Sequence, residues 1–303
     1  MSRIVVVGSS NTDMVVKTER FPEPGETIIG GDFFMFPGGK GANQAVAAAR
    51  AGGEVTFICA VGDDVFGQNA LDGYRDEGID VTSAKVIKDA ASGVALITVN
   101  AHGENEIVVA SGTNAKLSQI YISEVVEKMK KDALFLTQLE TPLDTTAYLA
   151  RHCKLTNQQL IINPAPAQEL SDEILEGLFL ITPNETESKI LTGIAVEDDA
   201  SMREAAKALI SKGVQNVIIT LGSKGAFFMN AEEQFLVPSF SVKAVDTTAA
   251  GDVFNGVLTV CLSKNKNWKE SITFANRAAA LSVTKMGAQG SAPNIEEINQ
   301  FNN

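Results

Sequence analysis

Short runs of aliphatic and β-branched residues recur along the chain, separated by segments whose apolar residues fall at three- and four-residue spacing. The runs Ile4–Val7 and residues 55–61, 134–139, 160–162, 178–181 and 217–221 are apolar without alternation, as strands covered by helices on both faces must be. Between them, residues 42–50 (closed by Gly52-Gly53), 118–131, 200–212 (closed by Gly213), 249–262 and 270–283 carry helical periodicity. The alternation predicts an α/β fold, a doubly wound and mainly parallel sheet with helices on both faces. Two stretches break the rhythm. Residues 14–17 and 26–36 precede the first long helix, and residues 94–100 and 104–110 alternate apolar and polar around His102-Gly103, as a hairpin does. With no crossover helix of their own, these strands predict a small β-sheet lid, built from insertions at roughly 13–40 and 92–113 into one unit spanning 1–303.

Composition narrows the class. The chain has 303 residues, with 45% hydrophobic, 20% charged and 9 proline, which describes a folded soluble domain with a large core. Lys and Arg number 25 against 37 Asp and Glu, a formal charge of −12 that repels nucleic acid and anionic membrane surfaces. An anionic substrate must therefore be held by local donors, helix N-termini or bound cations. Cys59, Cys153 and Cys261 form neither a disulfide framework nor a metal knuckle, and a reducing compartment fits. Only four strongly apolar residues precede Gly8, too few for a signal-peptide core, and no stretch approaches about 18 apolar residues. A cytoplasmic protein is expected. His102 and His152 lack ligand-spaced partners, which argues against zinc, and the Gly-x-Ser-x-Gly elbow of a serine hydrolase is absent. Glu197-Asp198-Asp199 reads as the acidic first turn of a helix.

Several motifs carry chemistry. Asp246-Thr-Thr-Ala-Ala-Gly-Asp252 runs directly into a helical stretch. Small residues before a helix leave backbone N–H groups free at its positive end, where a migrating phosphoryl group needs donors in place of water. Asp252, in the first turn, puts a carboxylate at the same spot, able to take a proton from an attacking hydroxyl. An ordinary capped helix accounts for the same residues less completely. In Pro37-Gly-Gly-Lys-Gly-Ala-Asn-Gln44 the P-loop spacer is missing and Gly41 follows the lysine, which excludes a Walker A motif. Bare backbone at Gly38, Gly39 and Gly41 instead lets a small polar ligand lie against the chain, with Lys40 and Asn43 donating to hydroxyls; a flexible hinge is the alternative. The first strand ends in Gly8-Ser-Ser-Asn-Thr-Asp13, which aims Asn11 and Asp13 into the crevice at the strand termini, unless it is simply an Asx turn. No dinucleotide fingerprint is present. Four further strand ends are polar: Gln138-Leu-Glu140-Thr-Pro142, Asn163-Pro-Ala-Pro-Ala167, Thr182-Pro-Asn184-Glu-Thr-Glu187 and Thr220-Leu-Gly-Ser-Lys-Gly225. Each alone reads as a turn or helix cap; together they argue for convergence on one crevice, with Gly222 and Gly225 admitting a nucleotide, Asn184 and Glu187 holding a hydrated Mg²⁺ and Glu140 bonding ligand or water.

In this order the motifs resemble the ribokinase branch of the ribokinase-like (PfkB) sugar-kinase family, over essentially the whole chain. The resemblance implies transfer of the ATP γ-phosphoryl group to the 5-hydroxyl of D-ribose, with Asp252 as catalytic base and Gly251 in the anion hole. It implies sugar contacts at Asn11, Asp13, Gly39, Lys40, Asn43, Glu140 and Asp252, with Thr12 and Gly41 in the same motifs. Nucleotide contacts are implied at Asn184, Thr220, Gly222, Ser223, Lys224, Gly225, Gly251 and Asn276, and Mg²⁺ through water at Glu187. It further implies activation by K⁺, matched here by Asp246, Thr248, Ser282, Lys285, Gly287 and Ser291, and a homodimer packed through the lids, whose thin sheet carries Phe33, Phe34, Met35 and Phe36. Two departures stand out. Val257 replaces the family's usual Ala or Gly, with bulk that shifts helix packing, and Pro37 stiffens the lid hinge. A kinase for another sugar or a nucleoside, and a non-catalytic sugar-binding relative, remain as alternatives.

Overall fold

The computed structural model describes residues 3–301; residues 1–2 of the N-terminal stretch and 302–303 at the end of the expected unit lie outside the described residues. The first third of the chain runs β1 (Ile4–Val7), β2 (Asn11–Lys17), β3 (Phe33–Gly38), α1 (Lys40–Arg50), β4 (Val55–Ile58), β5 (Ala60–Gly62), α2 (Val65–Asp76), β6 (Lys85–Ile87), β7 (Gly93–Val99) and β8 (Asn105–Ala110). The middle contains α3 (Gln119–Val126), β9 (Leu134–Thr137), α4 (Leu143–Thr156), β10 (Gln159–Ile162), α5 (Asp172–Leu175), β11 (Leu180–Ile181), α6 (Glu185–Thr192) and α7 (Asp199–Ser211). The last part adds β12 (Asn216–Thr220), β13 (Ala226–Asn230), β14 (Gln234–Val237), α8 (Ala250–Ser263), α9 (Trp268–Ser282) and α10 (Ile295–Gln300).

The main sheet has the order β14-β13-β12-β11-β10-β9-β1-β4 and is parallel from β4 to β12. Because strand side chains alternate, β1 serves both faces. Ile4 and Val6 join Phe57, Leu136, Ile161 and Ile218 beneath α1, α8 and α9. Val5 and Val7 join Phe135, Leu160, Ile162 and Ile219 beneath α3, α4 and α7. This double burial is why the strands read as unbroken apolar runs, each buried Val or Ile contributing roughly 1.5–3 kcal/mol. From β1 the chain first adds β4 on one side and then β9 on the other, so the crevice of a doubly wound sheet opens at the carboxyl ends of β1 and β9.

A second sheet, β3-β2-β7-β8, arises from the two segments that break the sequence rhythm. Its strands pair antiparallel at β2–β3 and β7–β8 but parallel at β2–β7, because the chain passes through the main sheet between them. Several expectations need correction. The expected strand over 26–36 begins only at Phe33, since Pro22, Pro24, Gly25, Gly30 and Gly31 keep the preceding stretch irregular. Pro37 lies inside β3 opposite Thr12 rather than at a hinge; β3 is an edge strand, where a missing N–H is tolerated. The run 55–61 divides, and β5 leaves the main sheet to pair with β6. The helix expected over 118–131 ends at Val126. The hairpin β13–β14, which runs antiparallel on the edge of the main sheet, was not anticipated.

Candidate active site

Two helix N-termini meet at the crevice. At the first, Gly39 is the residue before α1 and offers no side-chain cap; its φ of 89° suits glycine, and a Cβ there would lie 2.8 Å from the Asn11 nitrogen. Neighbouring segments replace the cap. Glu140 Oε2 accepts from the Lys40 N–H (2.9 Å) and from Ser9 Oγ (2.5 Å), and the Gly41 N–H donates to Ser9 Oγ (3.2 Å). The carboxylate that follows β9 is thus bound to the start of α1, with the loop after β1 between them. Gly41 approaches Ser9 so closely that a Cβ would fall 2.5 Å from its nitrogen.

At the second terminus, Ala249 precedes α8 in the left-handed region (φ 60°), an unusual conformation for a residue with a Cβ, and again without a side-chain cap. Among the described residues, the N–H groups of Gly251 and Asp252 have no acceptor. They form a vacant donor pair at a positive helix end. A Cβ on Gly251 would meet nothing within 4 Å, so this position borders open space. Asp252 is 6% exposed, and both its oxygens are held: Oδ2 accepts from Asn43 Nδ2 (2.9 Å) and Oδ1 from Gln44 Nε2 (2.9 Å). This geometry depends on α8 crossing α1 backbone to backbone at Gly256, where a Cβ would sit 2.5 Å from the Gln44 carbonyl oxygen. Val257, the position where added bulk is expected to shift helix packing, is fully buried in the core cluster of α1, α8 and α9.

Charge concentrates here. Burial pushes Asp13 up to about 6, with Glu140 and Asp252 adding to the rise and Lys40 opposing it. Burial also raises Asp252 against the pull of Lys40, Asn43 and Gln44, and raises Glu187 against Asn184 and Lys40. Burial works against the Lys40 ammonium, but Asp252, Glu140, Glu187 and Asp13 outweigh it and its pKa rises. Lys40 is therefore the cation shared by four carboxylates, on β2, α6, α8 and the loop after β9.

A cleft of about 680 Å³ is lined by Asn184, Thr220, Gly222, Ser223, Gly225, Gly251 and Asn276, among others. A smaller cavity of about 190 Å³ shares the Thr247, Ala250 and Gly251 wall and ends on Lys40, Asn163, Glu187 and Asp252. Asp252 therefore faces a cavity continuous with the larger cleft. Asn11, Asp13, Gly39, Asn43 and Glu140 lie outside the walls of both, on the β2 and α1 side of Asp252. Thr12 is not brought to them, because strand alternation turns it to the face of β2 opposite Asn11 and Asp13. Lys224 does not line the cleft; it is 70% exposed and lies 3.7 Å from Glu185. Asn276 Nδ2 donates to the Val237 and Pro238 carbonyls, so it fastens the cleft wall. Asn43, expected to donate to a ligand, has its donor on Asp252, which leaves Oδ1 unpartnered among the described residues.

A family model described as pfkB family carbohydrate kinase matches residues 1–295. The chain belongs to this family. The carbohydrate kinase is 43% identical over 298 residues to a ribokinase of Haemophilus influenzae, covering 98% of this chain and 97% of that protein. It is 38% identical over 299 residues to a deoxyribokinase of Salmonella typhi, covering 98% of each. The solved structure of Arabidopsis thaliana ribokinase complexed with ribose and ATP superposes with a TM-score of 0.92 at 29% identity, covering 100% of both chains.

In the kinase, two of the segments matched to a monovalent cation, those around Asp246 and around residues 283–287, come together. Asp246 Oδ1 accepts from the Thr248 N–H and Oδ2 from the Gly287 N–H, both at 2.9 Å, and the Val283 carbonyl accepts from Val245 and Asp246. Burial raises the Asp246 pKa, but the bonds from Thr248 and Gly287 outweigh it and the net shift is downward. Ser282 and Ser291 donate to the Ala279 and Ala288 carbonyls, and Lys285 pairs with Glu297 at 2.6 Å, so Lys285 can offer a cation only its main-chain oxygen. An ionised carboxylate, hydroxyls and carbonyls suit a hard cation. Among the described residues no three His, Cys, Asp or Glu cluster as a metal site. For Mg²⁺, Glu187 faces the small cavity while its carboxylate and Asn184 form the capping box that starts α6. The cap and ligand readings of these two residues thus coexist, and one carboxylate beside phosphates suits a largely hydrated Mg²⁺.

Sequence reasoning overlooked the amides that connect the kinase site. Gln138 Nε2 donates to Gln44 Oε1 (2.6 Å), and Gln44 Nε2 reaches both Asn163 Oδ1 and Asp252 Oδ1 (2.9 Å each). Asn114 fixes the chain entering the small sheet through Ser10 and Asn11. Gln44, Gln138 and Asn163 all stand inside the quoted motifs, so their position was the available signal.

Proposed function

We propose that the protein is an ATP-dependent ribokinase, forming D-ribose 5-phosphate and ADP. The observation that carries this reading is Asp252, buried and doubly hydrogen-bonded beside two free N–H groups, between a nucleotide-sized cleft and a ring of sugar-binding polar groups. Asp13 and Glu140 accept hydroxyls of the sugar, and Asp252 takes the proton of the 5-hydroxyl as its oxygen attacks phosphorus. The Gly251 and Asp252 amides stabilise the spreading phosphoryl charge. Asn184, Thr220, Gly222, Ser223 and Gly225 receive the nucleotide. Glu187 would hold Mg²⁺ through water, and the bound ion would supply charge neutralisation on the phosphates. The small sheet closes as a lid and excludes water.

The Haemophilus ribokinase and the Arabidopsis complex support ribose; the Salmonella deoxyribokinase makes deoxyribose the second reading. ATP consumption with ribose, deoxyribose, fructose and adenosine decides between them. Turnover on ribose that exceeds the others supports the proposal, and preference for another acceptor overturns it.

K⁺ bound by Asp246 and neighbouring carbonyls would reinforce the positive end of α8. Replacing K⁺ by a bulky organic cation is expected to slow turnover at constant ionic strength, and an unchanged rate rejects this site. The far face of the small sheet exposes Phe33, Met35, Leu96 and Val108 by more than half, and a second copy of the same sheet would cover it. Light scattering should then give a dimeric mass; a monomer excludes it. Cytoplasmic placement accords with ATP as co-substrate and with three buried free cysteines. No helix among the described residues is long and apolar enough to cross a membrane.

A further inference from the structure

We infer that Gln44 is a positioning residue for phosphoryl transfer, an amide locked by Gln138 and Asn163 that keeps Asp252 ionised and aimed. The inference rests on Asp252 being the base. Gln44 is fully buried, so no water can take its place. Its orientation is fixed independently of Asp252 through Asn163, whose Nδ2 donates to the Thr182 carbonyl (3.4 Å) and whose Oδ1 therefore takes the Gln44 NH₂ group, while Gln44 Oε1 accepts from Gln138 Nε2 at 2.6 Å. The two hydrogens of that group have two acceptors, Asn163 Oδ1 and Asp252 Oδ1, each at 2.9 Å.

Asn43 differs. It bonds Asp252 Oδ2, but its own Oδ1 has no partner among the described residues, so only Asp252 orients it. When the sugar O–H breaks and the new O–P bond forms as the bond from phosphorus to ADP breaks, the proton passes to Asp252. Asn43 is free to turn and present its oxygen to that proton; Gln44 is not. Gln44 therefore continues to favour the carboxylate, which returns the proton to solvent and restores the base. The charged groups that face Asp252 are Lys40 on α1, Glu140 after β9, Asp13 on β2 and Glu187 on α6. Of these only Lys40 favours ionisation, so the neutral donors matter more.

The test uses the full chain with Gln44→Met, which keeps the volume and removes the donor. Thermal unfolding establishes that the variant folds. Carbon-13 titration of the Asp252 carboxyl in the sugar-free protein is expected to move up by about one pH unit or more. The acid limb of kcat should shift the same way, with kcat at neutral pH lower by about 10–100-fold and sugar KM little changed. Gln138→Met, which touches neither Asp252 nor the sugar, should give a smaller shift in the same direction. It decides the matter if Gln44→Met does not fold. An unmoved Asp252 titration in a folded variant, with kcat within about twofold of wild type, overturns the inference while leaving the base intact. Full turnover in Asp252→Asn would instead remove the reading beneath it.

Discussion

Asp252→Asn is expected to lower turnover by about 10²–10⁴-fold, the usual contribution of a positioned general base, while sugar affinity changes by less than about tenfold. The asymmetry follows from what Asp252 touches. In the proposed reading the sugar ring is held by Asp13 and Glu140, and Asp252 meets only the hydroxyl that reacts. The substitution has two opposing effects on stability. Removing a buried charge is favourable, since burial raises the Asp252 pKa. The new amide, however, exchanges bonds to a carboxylate for weaker bonds to a neutral group: its oxygen stays on Gln44 Nε2, and its nitrogen faces Asn43, which must turn over to present Oδ1. The unfolding midpoint should therefore stay within a few degrees of wild type. Isothermal titration with ribose and a coupled ADP assay check both halves; turnover near wild type would reject Asp252 as the base.

Asp13→Asn should stabilise the empty protein and disable it together. Asp13 titrates near 6 when folded against an ordinary 3.8. The folded state therefore holds a proton more tightly than the unfolded chain does. Stability conferred by protonated Asp13 is complete below about pH 4, is lost as pH rises towards 6, and the cost is complete above that. The cost is on the order of 3 kcal/mol at neutral pH. Asparagine removes it, so the variant should unfold at higher temperature than wild type at pH 7.5 and at nearly the same temperature at pH 4. If Asp13 accepts two sugar hydroxyls as proposed, two charge-assisted hydrogen bonds are lost in exchange, raising sugar KM by about 10²–10⁴-fold. In the wild type, sugar KM should rise as pH falls below about 6, as the carboxylate that accepts those hydroxyls is protonated. A variant no more stable at pH 7.5, or a KM flat from pH 7 to 5, contradicts this account.

The sequence made the main sheet legible because β1, β9, β10 and β12 are buried on both faces and leave unbroken apolar runs. The β13–β14 hairpin was harder to read, since Ala226–Asn230 is a single short apolar run and its partner Gln234–Val237 is half exposed. The parallel β2–β7 pairing left no local trace, because it depends on where the core returns the chain. At the site, Asp252, Lys40, Asp13 and Glu140 stood out by charge in glycine-rich or strand-end contexts. Gln44, Gln138 and Asn163 did not, because a neutral amide between two helices looks the same whether it caps a turn or orients a base. Thr12 and Lys224 show the converse: membership of a motif does not tell which way a side chain faces.

The parallel pairing of β2 with β7 also has a consequence for how the molecule comes into being. Neither strand can find the other until the intervening chain has taken up its place in the core, a late and entropically costly closure. The small sheet is thus a graft that only the finished body can hold. Excised, it has no register to adopt, and in native-state hydrogen exchange its amides should open while those of β1 and β9 stay closed.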